Sequence, residues 1–352
     1  MNDWRRFWRT AMKTACGAGL FLVAFVIVLD PYDTLPFSPP LDRYPVTTNQ
    51  RFSYPAIAGD PTFDSLVIGT STARLLKPDR LDAALGGRFA NLSLNSGRAY
   101  EQMRLAQVFF HHHPQASRFV LGVDSVWCET YVDLKFTERP FPPWLYDNNP
   151  WNDVLYLFNP TALEEAGRQL AQIAGLRAPK YGKDGYAYFL PPPEDYDPAR
   201  ARQNLYKGEE PYVLSPETPP ADNYASELKD VVFPQLAYFR ELVNSIPPET
   251  DIILLFVPYH QSEVPVPGSL QEAKLNACKT RMMATIADRE RAHVVDFMIR
   301  SSLTMNDDYY WDRLHFSDKA SAIVVRELAR AVKTRRSDPA YYEYLGPHPS
   351  TD

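Results

Sequence analysis

An unbroken apolar run, Ile252-Ile253-Leu254-Leu255-Phe256-Val257, led by Asp251 and closed by Pro258, constrains the fold more than any other stretch. A strand with one face in water alternates apolar and polar residues, whereas one with no polar face must be covered on both sides. That is the position of a central parallel strand, and parallel strands need long crossovers, usually helical. The rest of the chain supplies them. Strands read at 63–69, 89–94, 118–123 and 293–297, and helices at about 100–112, 269–290 and 317–335. In the 100–112 helix Met103, Ala106, Gln107 and Phe110 fall at helical spacing. Pro78 suits the first turn of one more helix. The alternation predicts an α/β domain over 61–340, a three-layer sandwich with a central parallel sheet and helices on both faces. Ligands in such sheets bind beyond the carboxyl ends of the strands.

Residues 1–30 are a different material. Arg5, Arg6, Arg9 and Lys13 precede a charge-free apolar stretch, 14–29. It is at the short end for a bilayer span, which takes about 20 residues. Lys13, Trp4 and Trp8 can extend it by snorkelling and interfacial anchoring. An uncleaved transmembrane helix, a cleavable signal peptide and a buried helix all fit such a stretch. It runs into Asp30-Pro31-Tyr32-Asp33 rather than a small-x-small cleavage site, which favours the anchor. Basic residues ahead of the span predict a cytoplasmic N-terminus. In a bacterium that is a single-pass protein of the inner membrane with a periplasmic or extracellular domain. Residues 31–60, polar and proline-containing, read as a stalk.

Proline makes up 32 of 352 residues, about twice the usual share, and the excess falls between Pro140 and Pro267. Long ordered loops are therefore expected there. Residues 125–225 do not alternate; they carry Trp127, Trp144 and Trp151, with prolines clustered at 140–143, 191–193 and 219–220. They read as an insertion over the rim of a site, with a helix near 160–174. Its aromatic rings either stack on sugar faces or hold the loops in shape. The net charge of −6, with no basic patch in the folded part, excludes nucleic acid as a partner. Cys16 falls in the apolar stretch, leaving Cys128 and Cys278 as a disulfide pair in an oxidising compartment or as two buried thiols.

Two short motifs carry chemistry. Gly69-Thr70-Ser71 ends the first strand, and Asp312-Arg313-Leu314-His315 precedes the last helix, which Ser317 can cap. A serine hydroxyl needs an imidazole to take its proton and a carboxylate to orient that imidazole. Aspartate and histidine three residues apart can face the same way, leaving Nε2 for the serine. The triplet His111-His112-His113 does not converge, because consecutive helical residues fan out by about 100°. It reads as a solvated helix end. Nothing in the sequence calls for a metal or a cofactor. His260, at the end of the 251–257 strand, is expected on the same rim as Ser71.

An early Gly-Thr-Ser after a strand, with a late Asp-x-x-His, resembles the SGNH/GDSL hydrolase family, whose fold is flavodoxin-like. The resemblance implies Ser71 as nucleophile, His315 as base and Asp312 as its partner. Asn91-Leu92-Ser93-Leu94-Asn95-Ser96-Gly97 resembles the family's second block, implying that the N–H groups of Gly97 and Ser71 form an oxyanion hole. The family's third block carries an asparagine, and this chain has Leu121-Gly122-Val123-Asp124-Ser125 instead. With the N-terminal anchor and Asp30-Pro31-Tyr32, the pattern is similar to the membrane-tethered branch, the D-alanyl transfer proteins and exopolysaccharide O-acetyltransferases. What the resemblance implies is acyl transfer to a cell-envelope polysaccharide or similar polymer. A multi-span membrane acyltransferase would be the partner; by their positions, not by the resemblance, His260, Trp144 and Trp151 are expected to bind substrate. The alternatives are a carbohydrate or lipid esterase using the same triad and a non-catalytic polymer-binding scaffold.

Overall fold

The computed structural model of the chain describes residues 2–209 and 224–346. In chain order they form α1 (Asn2–Leu29), α2 (Gln50–Ala58), β1 (Ser65–Ile68), α3 (Pro78–Leu85), β2 (Phe89–Asn91), α4 (Ala99–His112), β3 (Arg118–Val123) and α5 (Pro160–Ile173). The chain continues with α6 (Pro198–Tyr206), α7 (Ala225–Lys229), α8 (Leu236–Ser245), β4 (Asp251–Phe256), α9 (Leu270–Thr285), β5 (Ala292–Asp296), α10 (Asp318–Thr334) and β6 (Glu343–Gly346). The starts of the helices are written locally. The side chains of Asn159, Ser269 and Ser317 accept from the N–H groups of Ala162, Glu272 and Ala320, at 2.9, 3.2 and 3.4 Å.

The strands form one sheet in the order β2-β1-β3-β4-β5-β6. The first five are parallel, and β6 runs antiparallel along β5. As its composition demands, β4 is flanked by β3 and β5, with Ile252 to Phe256 inaccessible to water. From β1 the chain steps to β2 on one side and then crosses to β3 on the other. The carboxyl ends of β1 and β3 therefore face the point where the winding reverses, where open α/β sheets bind ligands. Gly69 and Gly122 stand at these two ends. A Cβ on either would come within 2.6 or 2.5 Å of the Ala73 Cβ. Close approach of the turn after β1, not an unusual φ, requires glycine at both.

The described residues fall into two compact units, one within Met1–Ile57 and Phe141–Lys183, the other within Ala58–Pro140 and Asp184–Asp352. The second holds the sheet. In the first, the end of α1 packs on α5: Val26, Leu29, Tyr32, Leu35, Leu157, Ala162 and Ala166 form a buried cluster. Each large apolar side chain so buried contributes about 1.5–3 kcal/mol. Asp30 accepts from the N–H groups of Thr34 and Leu35 and from the Ser38 hydroxyl. Arg43 donates to the carbonyls of Val28 and Leu29, capping the C-terminus of α1. Most of the segment expected as a stalk packing against the domain, residues 31–57, falls in this unit and holds all of α2 but Ala58.

At 1.5 Å per residue α1 spans about 40 Å, more than the hydrocarbon thickness of a bilayer. It is long and apolar enough to be a membrane span or a signal sequence, and little of it is buried within the chain. It starts well before the apolar stretch, taking in Trp4 to Lys13. The insertion expected at 125–225 is divided between the units. Its helix, α5, lies in the first unit, α6 lies in the second, and Pro219 and Pro220 lie outside the described residues.

Candidate active site

The turn after β1 and the turn before α10 meet in the second unit. The Ser71 Oγ lies 2.8 Å from His315 Nε2, and His315 Nδ1 lies 2.8 and 2.9 Å from the two oxygens of Asp312. Asp312 Oδ1 also accepts from the N–H groups of Leu314 and His315, both at 2.9 Å, so the carboxylate closes the turn that presents the imidazole. Burial raises the Asp312 carboxyl, but the imidazole and these backbone donors outweigh it and the net shift is downward. An ionised Asp312 can only accept, so Nδ1 carries the proton and Nε2 is left to accept from Ser71. The Phe189 ring packs edge-on to His315 at 5.3 Å. The three residues that the motifs single out are brought into one hydrogen-bonded chain.

The residue before Ser71 is fastened separately. The Thr70 hydroxyl donates to Asp124, which comes directly after β3, and the other Asp124 oxygen accepts from Val126 N–H at 3.1 Å. Burial pushes the Asp124 carboxyl up to about 6, against the hydrogen bonds from Thr70 and Val126. Asp124 thus ties the ends of β1 and β3 together and turns both oxygens away from donor duty. Tyr259, after β4, joins this layer: its hydroxyl accepts from Ser125 N–H at 3.3 Å. Burial and the neighbouring Asp124 raise the Tyr259 phenol, so it keeps its proton.

A cavity of about 510 Å³ opens at Ser71. Its walls include Thr72, Ser96, Arg98, Ser125, Arg139 and Tyr259. The Ser71 N–H has no hydrogen-bond partner among the described residues, as an oxyanion donor requires. Gly97 lines the cavity too, but its N–H donates to the Leu94 carbonyl at 3.1 Å. It is therefore engaged in the turn rather than presented to the cavity. The need for glycine at 97 is again proximity, since a Cβ would meet that of Leu94 at 2.7 Å.

Three further expectations are corrected. His260 does not line the cavity: it is inaccessible, with Nδ1 2.8 Å from the Ser262 hydroxyl and Nε2 3.2 Å from Asp307. Burial lowers its pKa. Trp144 and Trp151 belong to the first unit, where Trp144 stacks on Tyr156 at 5.0 Å and Trp151 on Phe37 at 6.0 Å. The cavity at Ser71 is lined from the second unit alone. The residues that sequence reasoning passed over, Thr72, Ser96, Arg98, Arg139 and Tyr259, come from four separate loops and share no spacing that would reveal them.

His111 and His112 are exposed at the end of α4 with their rings edge-on at 5.1 Å, while His113 turns away to the Ala58 carbonyl at 3.0 Å. Cys128 and Cys278 form a disulfide, tying the turn after Asp124 to α9, and Cys16 is a free thiol. No family model matches the chain, and no curated protein matches it either. The functional reading rests on the geometry.

Proposed function

We propose that the protein is an extracytoplasmic, membrane-tethered enzyme of SGNH type that moves an O-acyl group, of the acetyl kind, onto a cell-envelope polysaccharide. The observation that carries the reading is the chain Ser71 Oγ, His315 Nε2, His315 Nδ1, Asp312, with both outer distances at 2.8 Å. The strand order 2-1-3-4-5 supports a flavodoxin-like, three-layer frame with the serine at its switch point. Ser71 Oγ attacks the acyl carbonyl while its proton passes to His315 Nε2, and Asp312 steadies the imidazolium. The Ser71 N–H donates to the developing oxyanion. His315 then returns the proton to the departing alcohol, leaving an acyl-serine. A sugar hydroxyl, deprotonated by His315, attacks that ester and restores the serine.

The cavity favours an oxygen-rich substrate over a long acyl chain, since serine, threonine and arginine side chains dominate its wall. Retention of α1 is supported by the burial of Val26, Leu29 and Asp30, which a cleaved leader would remove from the first unit. The bilayer and a multi-span acyltransferase that supplies the donor complete the proposed setting. Hydrolysis by the same triad is the second reading, favoured by the position of Trp144 and Trp151 outside the cavity. Incubation with an activated acetyl ester and an oligosaccharide, followed by mass spectrometry, separates the two. Acetylated sugar is expected; free acetate alone would make it an esterase, and no acetyl-Ser71 at all would overturn both.

A further inference from the structure

The first unit displays apolar side chains in a way a fully water-facing unit would not. Outside α1, Phe37, Trp151, Leu155, Phe158, Leu170 and Leu176 are all exposed, Leu155 at 73% and Leu176 at 84%. Leu176 is not a loose tail. Its N–H donates to the Ala171 carbonyl at 2.8 Å, and Gly175, at φ +70°, donates to Gln172 at 2.9 Å. Such a helix C-cap normally folds its apolar residue back onto the helix; this one holds it outward. Large apolar side chains left exposed in this number on one small unit point to a partner or a membrane.

The surroundings identify which. Leu157, Ala162 and Ala166 cover Val26 and Leu29, so α5 and the 151–158 segment stand at the C-terminal end of the helix that is long enough to span. From that end Tyr32 packs at a tilt against Trp144, which stacks on Tyr156, and Phe37 stacks on Trp151. Tryptophan and tyrosine concentrate where a span leaves the hydrocarbon. In the segment after Ala166, Arg168 pairs with Glu164 and Glu165 and Lys183 with Asp42, while Arg177 and Lys180 are exposed beside Leu176, which suits anionic headgroups. We infer that the first unit carries a second membrane-binding face, in which the apolar side chains of the 151–158 segment and the C-terminal half of α5 reach below the headgroups to the acyl boundary beside α1. The inference rests on α1 being a membrane span.

The full-length protein, reconstituted in phosphatidylcholine vesicles containing phosphatidylglycerol, allows a direct test by nitroxide labelling. The native Cys16 reports on the span; Leu155→Cys and Leu176→Cys, each in a Cys16→Ala background, report on the face. Collision rates with oxygen should exceed those with a water-soluble nickel chelate at all three positions. Nickel-dominated collisions at 155 and 176, with oxygen dominating at Cys16, would overturn the inference and leave the span standing. Protection from both reagents at 155 and 176 would mean a protein contact there, and would overturn it as well. Nickel-dominated collisions at Cys16 would remove the span and the face together.

Discussion

The backbone N–H of His260 donates to the carbonyl of Arg313 at 2.9 Å, so the loop after β4 holds the turn that carries Asp312 and His315. The buried imidazole of His260 keeps that loop in place through Ser262 and Asp307. His260→Ala should lower stability by about 1–3 kcal/mol, the cost of leaving buried polar partners unmade. It should also reduce kcat with little change in KM, because the ring does not touch the cavity. His260→Asn should restore part of both. An effect on KM alone would return His260 to substrate binding.

Ser71→Ala should abolish covalent labelling by a fluorophosphonate, and His315→Ala nearly so. Asp312→Asn should lower the labelling rate by up to about 10⁴-fold, since the amide favours the wrong imidazole tautomer. Labelling that survives Ser71→Ala would place the nucleophile elsewhere.

Two buried groups predict opposite responses to pH. Asp124 titrates at about 6 in the fold, against 3.8 for an ordinary aspartate. Between those values the native state holds a proton that the unfolded chain has lost, so stability falls as pH rises, by about 3 kcal/mol in all. Asp124→Asn can keep the bonds to Thr70 and Val126 without the charge. Its Tm advantage over wild type should therefore grow from pH 4 to pH 6 and then level. His293, beside Tyr344 on the sheet edge, is lowered by burial and by Arg335 from 6.5 to about 4. Here the unfolded chain holds the extra proton, and stability falls as pH drops below 6.5. The advantage of His293→Gln should grow in the acid direction. Thermal melts at five pH values would check both slopes.

The strands and helices around the sheet are legible because burial writes itself into composition. The strand expected at 118–123 matches β3, Arg118–Val123, and 251–257 differs from β4 by one residue. β6 is not legible: a four-residue edge strand, Glu343–Gly346, has one buried ring, Tyr344, and too little pattern to register. At the site, Ser71, Asp312 and His315 can be read because their chemistry fixes residue type and spacing. The fastening of Thr70 by Asp124 cannot, since it joins two loops 54 residues apart through a carboxylate that looks like a mere departure from a motif. Trp144 and Trp151 mislead for a related reason. Composition marks an aromatic as something to be packed or stacked, and only the fold says against what.

Thiol titration of the denatured, unreduced protein should find one free thiol, Cys16. Reduction closes no void but releases a loop of 150 residues, and should cost about 2–5 kcal/mol. Because Cys128 lies just beyond the turn capped by Asp124, the reduced protein should lose fluorophosphonate reactivity below the temperature at which it melts. Three free thiols in protein isolated without reductant would refute the pairing.

Deletion of residues 1–29 should do more than remove the proposed membrane span. It strips Val26 and Leu29 from the cluster with Leu157, Ala162 and Ala166, and removes the carbonyls that Arg43 caps. The shortened chain should bind a hydrophobic dye and lose a low-temperature unfolding step, while Ser71 labelling persists. Unchanged melting would show that α1 is only a leash.

The first unit is assembled from two stretches of sequence that flank β1, β2 and β3. During synthesis α1 therefore emerges first and receives its packing partner, α5, only after half the sheet's strands have been made. Until Ala166 has been made, Val26 and Leu29 lack the cover that α5 gives them. With α1 as the proposed span, biogenesis would follow a fixed order, the membrane guarding the early half of a core that the later half completes.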